Sequence, residues 1–162
     1  MKICSGWQPG LIGEVVGRHG QYYASAWGFT HFFEAKVAQD MGRFVQRYSA
    51  QHDLLLSAWD DDLAFRASIS IDGSDPDLAR STAHLRWFIS SAERSGAGRV
   101  LLNKAMDFLV ERAYQSCYLT TFRGLDAARA LYESVGFNLV DEGEDETWGT
   151  PVVEQRFEWR RG

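Results

Sequence analysis

The chain has 162 residues, 45% hydrophobic and 14% aromatic, with a formal charge of −5. That length and composition suit a single globular domain and exclude a disordered chain. An acidic balance with no Lys/Arg cluster argues against nucleic acid or an anionic membrane as partner, and no apolar run approaches the roughly 20 residues that span a bilayer.

The opening "MKICSGWQPGLIGEVVG" carries one lysine and no sustained apolar stretch before Glu14, so it does not read as a signal peptide. Cys4 and Cys117 lie far apart and the four histidines are scattered, so no zinc spacing appears. A reduced, cytoplasmic protein without a metal is the expectation.

"KICSGW" reads as a first strand. Pro9 then suits a helix N-terminus, and Leu11, Val15, Val16, His19, Tyr22 and Tyr23 follow at helical spacing. A second helix lies in "WGFTHFFEAKVAQDMGRFVQRY", with Thr30 as its expected N-cap. "DLLLSAW" and "LAFRASISID" predict a hairpin across Asp60, Asp61 and Asp62, a solvated tip. "GSDPD" is a turn and "TAHLRWFIS" the next strand, leading into "ERSGAGRVLL". A helix ending near Tyr114, the strand "SCYLTTF", the helix "LDAARALYESVG", and the strands "FNLVDEG" and "TPVVEQRFEW" complete the chain. The predicted order is β-α-α-β-β-β-α-β-α-β-β, a single α/β domain over 1–162 with a mixed sheet.

A strand, a glycine turn and a helix together present backbone N–H groups to phosphate, because the first helical turn has unpaired donors and a favourable dipole. In "ERSGAGRVLL" the P-loop reading fails, since Arg99-Val100 stand where Lys-Ser/Thr belong. A dinucleotide fingerprint fails too: Leu101 stands three places after Gly98, and "CYLTTF" supplies no acidic residue. An acyl-CoA pyrophosphate loop and a plain helix-entry turn both remain open on these residues alone.

Three stretches add to the glycines: "GEVVGRHGQYYASAWGF", "HLRWFI", and "YLTTFRGLDAARALYESVGFNLVDE" with the trailing "WGTPVVEQRFE". Together they resemble the GCN5-related N-acetyltransferase (GNAT) family over nearly the whole chain. The likeness is nearest to the branch whose acetyltransferase domain is often fused behind a MarR-type regulator. The resemblance implies a mixed, mostly antiparallel sheet flanked by helices, and an acetyl-CoA-dependent N-acetyltransferase acting on a primary amine of a small molecule or peptide. A non-catalytic binding or interaction module that keeps the fold is the competing reading.

The resemblance also assigns residues. Arg94, Ser95, Gly96, Ala97, Gly98 and Arg99 would hold the pyrophosphate, mostly through backbone, and Phe88, Ile89 and Ser90 would pair with the pantetheine amides. Glu93 departs from the family pattern, which has Gln or Arg there. Ala128 and Tyr132 come from "ARALYESVGF": Ala128 would line the cofactor, and Tyr132 would be the general acid that protonates the departing thiolate. A backbone N–H near Phe88 or Ile89 would serve the oxyanion. His84 is the candidate base, with His19 and Glu154 as others. Tyr22, Tyr23, Trp27 and Phe33, in the region that walls the amine side in this family, are candidate substrate contacts. By the same analogy a homodimer is expected.

Overall fold

The computed structural model describes residues 1–91 and 96–162. The elements run β1 (Lys2–Ser5), α1 (Leu11–Trp27), α2 (His31–Gln46), β2 (Leu54–Trp59), β3 (Phe65–Asp72), β4 (Thr82–Ser90), α3 (Ala97–Glu111), β5 (Ser116–Phe122), α4 (Asp126–Ser134), β6 (Asn138–Asp145) and β7 (Val152–Arg160). Their order is the one the sequence predicts. Boundaries shift where backbone chemistry intervenes. Pro9 lies one residue outside the cap of α1; Gly10, at φ 86°, holds that position, and Leu11 N–H donates to the Gln8 carbonyl at 3.0 Å. Thr30 caps α2 as expected, its hydroxyl oxygen accepting from Phe32 N–H at 3.4 Å.

The strands form one sheet in the order β1-β2-β3-β4-β5-β7-β6. Every neighbouring pair is antiparallel except β4 with β5. Those two pair only at Thr82↔Ser116, Ala83↔Cys117 and His84↔Tyr118. Beyond His84 they diverge, β4 running on to Ser90 and β5 to Phe122, so the sheet opens into a fork.

Side-chain alternation gives the sheet two unlike faces. Ala83, Leu85, Cys117, Leu119 and Phe157 pack with Leu101, Leu102, Ala105 and Leu109 of α3 and with Tyr132 of α4 in one apolar cluster. On the opposite face, Leu55 and Phe65 pack with Leu11, Val15, Met41 and Phe44 of α1 and α2. That face also carries charge. Asp72, fully buried, receives both terminal nitrogens of Arg47 at 2.6 and 2.7 Å and Arg86 Nη1 at 3.4 Å. Asp53, also buried, accepts from the N–H groups of Ser49, Gly73 and Ser74 and from the Ser74 hydroxyl, tying the turn before β2 to the turn after β3.

β4 is irregular at the fork. Ser70 pairs with Arg86 and Ser68 with Ile89, so Ile69 of β3 faces both Trp87 and Phe88. This is a β-bulge, and Trp87 takes φ 49° to make it. The extra residue turns Phe88 toward the α3/α4 cluster while Trp87 and Ile89 pack on the α1/α2 side.

Candidate active site

The fork surrounds a cavity of about 160 Å³ that reaches both faces of the sheet. From the α3/α4 side Phe88 and Tyr132 line it, their rings 5.9 Å apart. From the other side come His84, Arg86, Thr120 and Glu154 on the strands, with Tyr23 of α1 and Phe33, Lys36, Val37 and Asp40 of α2. Phe122 and Trp148 complete the aromatic wall.

On β4 beyond the fork, Arg86 to Ser90 have no ladder partner on the β5 side among the described residues. Phe88, Ile89 and Ser90, the expected pantetheine partners, lie on this edge. The first turn of α3 sits at its end: a Cβ placed on Gly98 would meet Phe88 Cζ and Ser90 Cβ at 3.4 Å, so the helix start touches the diverging strand. Gly96, at φ 71°, holds the N-cap position, a conformation glycine adopts without Cβ strain, and Ala97 is the buried first residue of the helix. Arg99 turns away to donate to Ser134 Oγ at 2.8 Å, which ties α3 to α4. Ala128 packs against the apolar cluster beside Tyr132. Arg94, Ser95 and the anomalous Glu93 lie outside the described residues.

Tyr132 is 6% exposed, and burial raises its phenol above the ordinary tyrosine value. A group held protonated in this way is suited to donate a proton and unsuited to take one. His84 sits at the apex of the fork, stacked on Tyr118 at 4.1 Å. Burial, and then the Arg86 charge, lower its pKa to about 3. It is neutral near pH 7 but a poor proton acceptor, which weighs against the base role expected of it. His19 is buried with Nδ1 2.7 Å from the Val15 carbonyl, and burial lowers its pKa to about 4, so it fares no better. Glu154 is different. Burial, and then neighbouring Asp145, raise its carboxyl above the ordinary glutamate value. The register explains the pairing: Glu154 faces Gly143 across β6–β7, and Asp145 is the next residue of β6 on that same face.

The expected amine contacts divide. Tyr23 and Phe33 line the cavity, their rings 4.6 Å apart. Trp27 packs behind them, 6.0 Å from Phe122, and Tyr22 is 45% exposed and outside the lining. Sequence reasoning did not single out Trp148, Lys36, Asp40 or Arg86. The period-two signal linking His84 and Arg86 in "HLRWF" would have found the last; Trp148 stands between β6 and β7 with no periodic signal. Among the described residues no cluster of His, Cys, Asp or Glu could hold a metal ion, and no helix is long and apolar enough to cross a membrane.

A half-open mixed sheet, with a helix start at the mouth of its fork and a cavity passing through it, defines the acetyltransferase class of fold. The model of the acetyltransferase (GNAT) family matches residues 21–137. The chain therefore belongs to the GNAT acetyltransferases. No curated protein matches it. Solved structures do, at low identity, and these likenesses are of fold. A ribosomal-protein-alanine N-acetyltransferase from Brucella melitensis is 15% identical with a TM-score of 0.76, over 99% of this chain and 100% of that one. A GNAT-family acetyltransferase from Staphylococcus aureus Mu50 is 13% identical, TM-score 0.75, over 98% and 99%. The PaiA N-acetyltransferase from Thermoplasma acidophilum, in complex with coenzyme A, is 16% identical, TM-score 0.68, over 99% and 100%.

Proposed function

We propose that residues 1–162 act as one domain that transfers an acetyl group from acetyl-CoA to a primary amine of a small molecule or peptide, by direct attack in a ternary complex. The observation that carries this is the fork: a β4 edge with no ladder partner on the β5 side among the described residues, a helix start at its end, and the Tyr132 phenol and Glu154 carboxyl reaching one cavity from opposite faces of the sheet. An extended arm with two amides fits such an edge, where its N–H and C=O groups replace the missing ladder of β5. The diphosphate fits the first turn of α3, where Gly96, Ala97 and Gly98 keep side chains out of the way. That a fold neighbour was solved with coenzyme A supports the choice. Within the family, the match of "HLRWFI" and "ARALYESVGF" favours the branch often fused to MarR-type regulators.

In this reading acetyl-CoA supplies an activated thioester carbonyl, and the chain supplies the proton transfers. Glu154 takes the proton of the incoming ammonium, since only the neutral amine is nucleophilic. Its raised pKa brings it closer to the ammonium it must deprotonate. Backbone N–H groups at the bulge, around Phe88, would serve the thioester oxygen and stabilise charge developing there. Tyr132, held protonated, donates to the departing sulfur.

Calorimetry with acetyl-CoA tests the reading first. Binding is expected, and its absence would leave the fold as a non-catalytic module. Tyr132→Phe is then expected to lower kcat about 10²–10⁴-fold with acetyl-CoA affinity little changed. Full turnover in that variant would take Tyr132 out of the acid role.

A further inference from the structure

We infer that the acceptor is a compact monoamine, a single ammonium on an apolar, ring-sized body, seated between Glu154 and the rings of Tyr23, Phe33, Phe122 and Trp148. This rests on the acetyl-transfer reading and narrows it to a substrate class.

The charge inventory of the wall comes first. Asp40 accepts from Lys36 Nζ at 3.0 Å and from Arg86 Nη2 at 3.2 Å. Arg86 also reaches Asp72 and lies over the Trp87 ring at 4.3 Å. Both cations of the wall and one of its carboxylates are therefore already matched. Glu154 is the lining carboxylate that has no cationic partner among the described residues. One unmatched carboxylate suits one ammonium. A second ammonium on the acceptor would find no counter-charge in the wall. A carboxylate on it would have to draw Lys36 or Arg86 away from Asp40, stranding a half-buried charge. Asp145 lies outside the lining; it accepts from Thr147 N–H and hydroxyl and is hydrogen-bonded to Glu154, so it backs that one carboxyl and opens no separate site on the wall.

The body of the acceptor is set by what surrounds that carboxylate. Phe33 meets Tyr23 at 4.6 Å and Trp148 at 5.5 Å, and Tyr23 meets Phe122 at 5.8 Å, so the outer half of the cavity is a ring-lined slot. Such a wall takes apolar surface and attracts a cation to its ring faces. The whole cavity is about 160 Å³, below the usual range for drug-sized ligands, and the thioester shares it. A long polyamine would extend beyond these walls, with its further ammonium groups away from Glu154.

The test is a panel of benzylamine, phenethylamine, spermidine, glutamate and a short peptide, with acetyl-CoA and detection of free thiol. Phenethylamine or benzylamine is expected to exceed spermidine and glutamate in kcat/KM by at least about tenfold, the equivalent of 1.4 kcal/mol. Trp148→Ala should raise KM for the aromatic amine about tenfold with KM for acetyl-CoA unchanged, and Trp148→Phe should restore most of it. Preference for spermidine, glutamate or the peptide overturns the inference, as does a Trp148→Ala variant with an unchanged amine KM. Acetyl-CoA binding without turnover of either aromatic amine also overturns it. Failure to bind acetyl-CoA sinks the acetyl-transfer reading itself, so the two failures are told apart by calorimetry.

Discussion

The two faces of this sheet are built on different principles, and β4 belongs to both. Toward α3 and α4, Ala83 and Leu85 join a continuous apolar cluster in which Leu101, Leu102 and Leu109 are fully buried. Toward α1 and α2, the alternate residues are His84, neutral and stacked on Tyr118, and Arg86, which enters a chain of charges running Arg47–Asp72–Arg86–Asp40–Lys36. Apolar burial is non-directional and stabilises wherever surface is removed from water. Paired charges in a half-buried layer hold specific atoms at specific places. The apolar face thus anchors the fork, and the polar face shapes what enters it.

The contrast can be broken most strongly at Asp72. Burial pushes its carboxyl up, but the Arg47 hydrogen bond and the Arg47 and Arg86 charges overcome this and hold it below the ordinary aspartate value. Asp72→Ala leaves both arginines without their buried partner and is expected to cost about 3–5 kcal/mol in urea unfolding. It should also displace Arg86 from the cavity wall. On the other face, Leu101→Ala should cost about 2–5 kcal/mol through a cavity in the apolar cluster, with the pH dependence of stability unchanged. If Leu101→Ala altered that pH dependence as well, the two faces would not be separable. The smallest effect is the pH dependence itself. His19 has its pKa lowered by burial to about 4, so below its ordinary value the unfolded chain binds a proton that the folded chain refuses. Stability is then lost as pH falls from about 6.5 toward about 4, and His19 alone accounts for about 2 kcal/mol between pH 7 and pH 5. Glu154, with a raised pKa, acts in the opposite direction: its contribution is present in acid and lost as pH rises through its folded value. Urea midpoints at the two pH values should show a net acid loss that His19→Gln reduces.

How much of this was legible in the sequence divides along the same line. Element order and most strand limits were, because apolar periodicity reports on burial; "TAHLRWFIS" and "SCYLTTF" coincide with β4 and β5. Tyr132 was found through a local motif. The base candidate was not separable, because His84 and Glu154 differ only in their surroundings: Arg86 and burial on one side, Asp145 and an open Gly143 on the other. Trp148 joins the cavity through a loop closure that no local pattern encodes. Tyr22 and Tyr23 are adjacent and alike in sequence, and only the turn of α1 sends one inward and leaves the other 45% exposed.

The bulge at Trp87 sets a rule of phase for β4. Upstream, odd-numbered residues meet the α3/α4 layer; downstream, even-numbered Phe88 and Ser90 do. Removing the bulge residue Trp87 alone would restore an uninterrupted ladder with β3 and relieve a strained backbone while keeping Phe88 and Ser90 toward α3, because Arg86 and Trp87 already face the same side. Away from the bulge, insertions and deletions in this strand are governed by parity: a change of two residues preserves the facing of every later side chain on the strand, and a change of one inverts it.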